Sequence, residues 1–174
     1  MHKITAAATT LTLGIATAAA LTSAQATTHP TAADDNRSHQ HVQVLHYIDR
    51  VNKNSNTDID LGAPGLSAGN QQVFRDDLLR NGRKIGTSAG VAEVVALTKT
   101  TLTAQVVSTA ILPAGQLMLQ MAFTEILAEG PPKILHSAIT GGTGTYRNAR
   151  GECQGEFIDN TDDAKVTCTI ILGE

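Results

Sequence analysis

The sequence predicts an all-β protein, an eight-stranded antiparallel up-and-down β-barrel. From residue 41 onward, segments of alternating apolar and polar residues are separated by turn-forming residues, with hardly any sustained helical period. The segments are rich in Val, Ile and Thr, which favour strands. Eight such segments at hairpin-like spacing suit a closed barrel, which removes exposed sheet edges and can enclose one small ligand. A two-sheet sandwich is the alternative.

The first three predicted strands are separated by one long loop and one tight turn. They comprise residues 41–51, 71–79 and 83–98. The polar stretch Asn52–Asn70 contains Gly and Pro and is predicted to be a long loop. Asn81-Gly82 is a strong indication of a tight hairpin turn. In the third segment, Gly86 and Gly90 suit a bulge or a close backbone approach better than a flat strand.

The remaining five predicted strands follow at short intervals. They comprise residues 101–112, 115–127, 133–140, 145–158 and 165–172. Segment 115–127 is apolar on both faces, so one face is expected to meet another subunit or a covering element. The other face is predicted to line a ligand cavity, with a simple packed core as the alternative. This face carries Leu117, Leu119, Met121, Phe123 and Glu125.

The N-terminal region predicts export. Residues 1–26 begin with His2 and Lys3, continue as an Ala/Thr/Leu-rich run and end in Ala24-Gln25-Ala26, a site typical of signal-peptidase cleavage. The run is too weakly hydrophobic to persist as a transmembrane anchor. Cleavage near Ala26 leaves a polar flexible leader over residues 27–40 and a barrel domain over residues 41–174. We therefore expect a secreted, extracellular protein.

The two cysteines, Cys153 and Cys168, are predicted to form a disulfide. An even number of cysteines in an exported domain usually indicates a bridge. The two residues lie on the last two predicted strands, on either side of a turn near residue 160, which places them opposite each other. Metal binding is the weaker alternative, because His136 is distant in sequence and two cysteines alone do not complete a tetrahedral site.

Composition argues against several classes of partner. The formal net charge is −3, without the basic excess that phosphate backbones require, so neither nucleic acid nor membrane is an expected partner. Aromatic residues make up 3% of the sequence, so stacking platforms for single strands or planar sugars are nearly absent. We interpret His29, His39 and His41 as solvated residues in and beside the leader. No metal and no other cofactor are predicted.

The stretch AITGGTGTYRNARGE, residues 138–152, resembles the signature of the allene oxide cyclase and dirigent barrel superfamily, a GGTG-aromatic-x-x-ARG sequence. Two further segments agree in order. HYIDRV resembles the aromatic-x-Asp of the first dirigent strand, and VFRDDLL resembles the dirigent Val-Phe-Asp-Asp-Pro-Leu segment. The resemblance spans roughly residues 41–172. Thr145, where some dirigent proteins have an acid, and Leu78, in place of Pro, argue against lignan coupling specifically.

The resemblance implies a calycin-like eight-stranded barrel, frequently trimeric, whose apolar cavity cyclises or couples a reactive intermediate without a cofactor. Pocket aspartates and an arginine are implicated in dirigent proteins. The matching positions in this sequence are Asp49, Asp76 or Asp77, and Arg150. A surface salt bridge is the alternative interpretation of Arg150. Tyr146, the aromatic residue of the signature, is expected to contact the ligand.

Strand alternation supports Asp49 independently of the resemblance. Leu45, Tyr47 and Asp49 share one face of the first predicted strand, so this carboxylate would lie in an apolar cavity. Desolvation there raises a carboxyl pKa and prepares the group for proton transfer. The alternative is a solvated Asp49 at the barrel rim. Alternation also points one of Asp76 and Asp77 inward, without deciding which.

The sequence therefore predicts a secreted barrel that binds an apolar small molecule and promotes cofactor-independent cyclisation or isomerisation of a polyketide- or lipid-like intermediate. Asp49, Tyr47, Asp76 and Arg150 are the candidate catalytic residues. A dirigent-type scaffold without chemistry of its own and a plain extracellular binding barrel are the alternatives, because a fold does not determine function. A homo-oligomer is expected, and the resemblance implies a trimer.

Overall fold

The computed structural model describes residues 40–61 and 63–173. Within these residues the chain forms nine strands and two short 3₁₀ helices. The strands are β1 (His41–Arg50), β2 (Thr57–Ile59), β3 (Gln71–Arg80), β4 (Arg83–Leu97), β5 (Thr101–Leu112), β6 (Gly115–Ile126), β7 (Ile134–Gly142), β8 (Arg150–Phe157) and β9 (Ala164–Leu172). The 3₁₀ helices are Lys53–Ser55 and Gly144–Tyr146. The predicted signal peptide, and the predicted leader up to residue 39, lie outside the described residues.

Eight of these strands close into an antiparallel barrel. Hydrogen-bonded neighbours follow the order β1-β9-β8-β7-β6-β5-β4-β3, and β1 pairs with β3 to complete the ring. The closing pair aligns Ile48 with Leu79 and Arg50 with Asp77. The short strand β2 pairs with β3 outside the ring. The predicted eight-stranded up-and-down barrel is thus confirmed.

Two segments differ from the sequence prediction. The predicted loop over residues 52–70 contains a 3₁₀ helix and β2, and the Asn52 side chain caps that helix by accepting a 3.2 Å hydrogen bond from the Asn54 backbone N–H. The predicted strand over residues 145–158 begins only at Arg150. Residues 144–146 form the second 3₁₀ helix, which buries Tyr146. Local capping therefore adds a short helix to the predicted loop. The packing of the Tyr146 ring overrides the alternating pattern before β8.

The hairpin between β3 and β4 has the predicted chemistry. Asn81 and Gly82 have φ angles of 51° and 73°, the left-handed conformation that a tight turn of this kind requires at both central positions. The pairing register shifts just before this turn, where Leu78 pairs with Gly86 and the next pair skips one residue of β4. The bulge predicted near Gly86 is therefore present.

Side chains that face the interior fill the barrel at one end only. The part of the core cluster called the floor below lies towards the end of β3 and the start of β6 and consists of Leu45, Leu78, Ala110, Leu112, Leu117, Ile139, Tyr146, Ala149 and Ile170. Leu78, Leu117 and Ile170 are completely buried. The floor closes this end of the barrel, and the other half of the interior is left open.

The predicted disulfide joins β8 to β9 at the upper edge of the floor. Cys153 and Cys168 are directly paired in the strand register and are bonded to each other. Both are buried within the core cluster, and Cys153 also borders the open half of the interior. The structure therefore confirms the disulfide.

The outer surface carries a row of apolar side chains across three strands. Val91 on β4 pairs with Val73 on β3 and with Val107 on β5. Val107 is 54% exposed, and Met118 on the outer face of β6 is also exposed. This apolar outer surface extends the pattern noted for segment 115–127. Its coverage by another subunit stays a prediction.

Candidate functional site

A cavity of about 740 Å³ occupies the barrel between the floor and the opposite end. This volume is in the range of small-molecule sites. The walls are mostly apolar and include Val106, Leu119, Met121, Leu135 and Val166. The exposed side chains of Lys53, Asp58 and Lys133 lie at the mouth. The inward face predicted for β6 therefore lines a cavity through Leu119, Met121 and Phe123.

Most aromatic residues of the protein are gathered around this cavity. The sequence contains three Phe and two Tyr. Four of these rings line the cavity, namely Tyr47, Phe74, Phe123 and Phe157. A Cβ atom at Gly90 on β4 would lie 2.9 Å from Phe74 Cζ, so the glycine makes room for this ring in the wall. The low aromatic content predicts that stacking platforms for single strands or planar sugars are nearly absent, and the few rings that the sequence contains are concentrated at this cavity.

Asp49 lies in the cavity wall near the end of β1. Its Oδ1 atom is buried and has no hydrogen-bond partner among the residues that the structure describes. Burial, followed by the negative charge of Asp76, raises the pKa of Asp49 to about 7. The Ser88 side chain, as a hydrogen-bond donor, opposes part of this rise, and the negative charge of Asp163 adds to it. Near neutral pH this carboxyl group is therefore populated both as an acid and as a base.

Asp76 is the second carboxylate of the interior. It lies on β3, is 7% exposed, and accepts a 2.8 Å hydrogen bond at Oδ1 from the backbone N–H of Asn52. Burial raises the pKa of Asp76, and hydrogen bonds from Asn52 and Asn56 oppose the rise. Asp76 thus ties the segment after β1 to the barrel wall and places a second negative charge near Asp49.

The choice between Asp76 and Asp77 is settled by their surroundings. Asp76 lines the cavity, whereas Asp77 forms an ion pair with Lys84 away from it. Phe74 and Gln72 share the inward face with Asp76. The segment VFRDDLL therefore contributes a ring and a carboxylate to the site at alternate positions.

Tyr47 lies between Asp49 and the floor. The side chain is buried, and its hydroxyl is 3.9 Å from Cys168 Sγ. Burial, and then the charge of Asp49, raise the pKa of Tyr47. The phenol therefore remains protonated at neutral pH and can donate a hydrogen bond within the cavity.

Four residues proposed from the sequence do not line the cavity. Leu45 and Tyr146 are buried in the floor. Arg150 is exposed, and its Nη1 donates a 3.0 Å hydrogen bond to the carbonyl of Ala149. Glu125 lies near the end of β6, where burial raises its pKa, but it is not part of the lining. Alternation identifies the inward face of a strand but not the depth at which packing gives way to a cavity.

Sequence reasoning did not identify several residues of the site. The missed lining residues include Asn56, Phe74, Ser88, Lys133 and Phe157. Phe74 could have been found, because it alternates with Asp76. Asn56 comes from a predicted loop, for which the two-residue period gives no information. Lys133 was predicted as the first residue of a strand, but the strand begins at Ile134 and Lys133 lies in the preceding connection.

Residues 40–61 and 63–173 lack two features, a cluster of metal ligands and a membrane-spanning helix. No group of three or more His, Cys, Asp or Glu side chains in these ranges is placed to hold a metal ion. No helix in the described part of the chain is long and apolar enough to span a bilayer.

The sequence family agrees with the barrel and its cavity. The family described as allene oxide cyclase barrel like domain matches residues 50–172. The chain belongs to this family. The match covers β3–β9 and begins at the last residue of β1, so it includes nearly the whole barrel. The resemblance inferred from the GGTG and ARG motifs is therefore confirmed.

Solved structures with the same fold carry varied descriptions. A pyocyanin demethylase is 24% identical, with a TM-score of 0.61, over 74% of this chain and 99% of that chain. A pterocarpan synthase dirigent protein is 16% identical, with a TM-score of 0.63, over 84% of this chain and 98% of that chain. An exo-specific intermolecular Diels-Alderase is 13% identical, with a TM-score of 0.56, over 76% of this chain and 98% of that chain. These similarities concern the fold. No curated protein matches the sequence.

Proposed function

We propose that this barrel binds an apolar small molecule in its cavity and promotes cofactor-independent cyclisation or isomerisation by proton transfer at Asp49. The observation that carries the proposal is the partly buried Asp49 side chain in an apolar cavity of about 740 Å³, whose Oδ1 atom is buried and has no hydrogen-bond partner among the described residues. Its pKa of about 7 suits both removal and return of a proton at neutral pH. Fold neighbours described as a Diels-Alderase and a dirigent protein support chemistry of this class.

The proposed step balances without an oxidant or reductant. The ionised Asp49 accepts a proton from carbon or oxygen of the bound molecule, and the protonated Asp49 returns it to another atom of the same molecule. Tyr47, which stays protonated, donates a hydrogen bond to the oxygen on which negative charge develops. The apolar walls hold the bound molecule in the folded conformation that reacts. This lowers the reaction barrier because less entropy is lost on reaching the transition state.

A surrogate reaction tests Asp49 before the natural substrate is identified. In 5-nitrobenzisoxazole a base removes the ring C–H proton, the N–O bond breaks, and a coloured nitrophenolate forms. A desolvated carboxylate accelerates this elimination, so wild-type protein should catalyse it and Asp49→Asn should lose about 10²–10⁴-fold in rate. Asp77→Asn, on the outer side of β3, is the matched control and should retain the wild-type rate. Equal rates for all three proteins would contradict the proposal.

A second experiment addresses the natural ligand. Purified protein is incubated with an extract of the producing cells, and bound and converted molecules are identified by mass spectrometry. If wild-type protein converts a molecule of the extract and Asp49→Asn does not, the result supports an enzyme that uses Asp49. A molecule that is retained unchanged by both proteins supports a dirigent-type scaffold instead, for which the apolar walls of the cavity are the favouring observation.

We also infer that the protein is exported and self-associates. The predicted cleavage site after Ala26 and the disulfide support export, because disulfides persist in oxidising compartments. The apolar row Val73–Val91–Val107 supports association of barrels through their outer faces. A mature protein that begins at Thr27 in the culture medium is the expected product, and N-terminal sequencing of the cellular and external fractions tests it.

A further inference from the structure

The charged groups around the cavity are unevenly distributed between the two signs. The acidic and basic side chains that line the cavity are four aspartates and two lysines, namely Asp49, Asp58, Asp76, Asp162, Lys53 and Lys133. Both lysines lie at the mouth and are already paired. Lys53 Nζ is 3.2 Å from Asp162 Oδ2, and Lys133 Nζ is 3.6 Å from Glu156 Oε1 and 3.7 Å from Asp159 Oδ1. A bound anion would therefore compete with carboxylates for every lysine that the described cavity contains.

Among the described residues, the inner part of the cavity contains the carboxyl groups of Asp49 and Asp76 and no lysine or arginine. Asp76 is occupied by its hydrogen bond from the Asn52 N–H, whereas Asp49 Oδ1 has no partner among the described residues. A buried acceptor without a donor is unfavourable, and a ligand that supplies the donor recovers the loss. The recovery is largest when the donor carries a positive charge, because charge-assisted hydrogen bonds are the stronger ones.

The walls add a second preference for a cation. Phe74, Phe123 and Phe157 line the cavity together with Tyr47. The faces of aromatic rings attract positive charge, most strongly at sites that exclude water. Rings and unpaired carboxylate oxygen in one apolar cavity therefore recognise a flat organic cation better than a neutral or an anionic molecule of the same size.

We propose that the molecule bound by this cavity is a flat, apolar ligand with a positively charged nitrogen, which pairs with Asp49 and lies against the phenylalanine rings. This inference rests on the proposed function, since it requires that the cavity binds a small molecule. It narrows that function by disfavouring anionic substrates such as fatty acids, which would place a third carboxylate beside Asp49 and Asp76.

Three tricyclic probes of similar size test the inference by fluorescence titration. They are 9-aminoacridine, which is a cation, anthracene-9-methanol, which is neutral, and anthracene-9-carboxylate, an anion. At about pH 8, where Asp49 is largely ionised despite its carboxylate neighbours Asp76 and Asp163, the cation should bind about tenfold more tightly than the neutral probe. The anion should bind at least about tenfold more weakly than the neutral probe.

Variants assign the preference to the proposed group. Asp49→Asn should reduce the preference for the cation over the neutral probe to less than about threefold. Asp77→Asn, whose side chain lies outside the cavity, should keep the full preference. Thermal melting of each variant verifies folding.

The possible results separate the two proposals. Equal binding of the three probes, tighter binding of the anion, or a preference that persists in folded Asp49→Asn would overturn the inference and leave the proposed function in place. If none of the probes binds at millimolar concentration, both the inference and the proposed small-molecule function are wrong.

Discussion

Along β1 the inward side chains change from Leu45 in the floor to Asp49 in the cavity, and along β3 they change from Leu78 to Asp76. On β6, Leu117 is completely buried, whereas Met121 borders open space on the same face. The two ends of one barrel thus use the same strands and the same alternation. They differ only in which residues occupy the inward positions.

This difference shows how the barrel accommodates an unfavourable site. Burial of carboxylates without full hydrogen bonding lowers the stability of the folded state. Dense apolar packing elsewhere in the barrel offsets this loss. Leu78, Leu117 and Ile170 provide that packing in the floor. Stability and chemistry are therefore assigned to opposite ends, and substitutions at the two ends should have different effects.

The largest expected loss of stability is at the floor. Leu117→Ala should lower the free energy of unfolding by about 2–5 kcal/mol, because it removes buried methyl groups and leaves a cavity. Met121→Ala, four residues further on the same face of β6, should cost about 1 kcal/mol or less, since its side chain already borders open space. Urea unfolding of both variants measures the difference. Equal losses would contradict the division between floor and cavity.

The next effect is the dependence of stability on pH at the cavity end. Asp49 has a pKa of about 7 in the folded protein and an ordinary value near 4 when unfolded, so between these values the folded state binds more protons. The free energy of unfolding should therefore fall as pH rises from about 4 to about 7, by up to about 4 kcal/mol. Asp49→Asn should remove most of this fall. A fall of the same size in both proteins would show that other groups cause it.

The disulfide lies where floor and cavity meet, and its removal should have an intermediate effect. It joins cysteines 15 residues apart, for which the chain-entropy model gives about 3 kcal/mol. The double variant Cys153→Ala, Cys168→Ala should lose about this amount in urea unfolding. Mass spectrometry of alkylated, exported wild-type protein should find neither thiol modified. Modification of both thiols would contradict the bond.

The smallest effect on stability is expected on the outer surface. Val107→Lys should change the free energy of unfolding by no more than about 0.5 kcal/mol, because the side chain is exposed. It should nevertheless weaken self-association, since it places a charge at the end of the apolar row Val73–Val91–Val107. Light scattering at micromolar concentration compares the two proteins, and a wild-type barrel of monomer mass would refute the association.

Local rules were sufficient to predict most of the fold. Alternation gave the strand positions, Asn81-Gly82 gave the β3–β4 turn, and the facing positions of Cys153 and Cys168 gave the disulfide. These features depend on residues close in sequence or on one hairpin. The pairing of β1 with β3, which closes the ring, joins segments that are distant in sequence. A closed ring was predicted only from the number of strands.

The site was predicted less completely, for reasons of register. Asp49 and Tyr47 were identified from the resemblance of HYIDRV to the first dirigent strand and from their alternation with Leu45. The same alternation placed Leu45 in the cavity, although the tilt and stagger of the strands put it in the floor. Asp76 was separated from Asp77 only by its pairing with neighbouring strands and its bond to Asn52. Depth along a barrel is a property of the assembled sheet.

The most direct test of a proton-transfer site at the open end is the titration of Asp49 itself. The ¹³C chemical shift of its carboxyl carbon, assigned by comparison with Asp49→Asn, is followed by NMR as pH is varied. The structure predicts a midpoint at about 7, because burial and the charge of Asp76 disfavour the ionised form. A midpoint near the ordinary aspartate value of about 4 would contradict a desolvated carboxyl group in the cavity and the chemistry proposed for it.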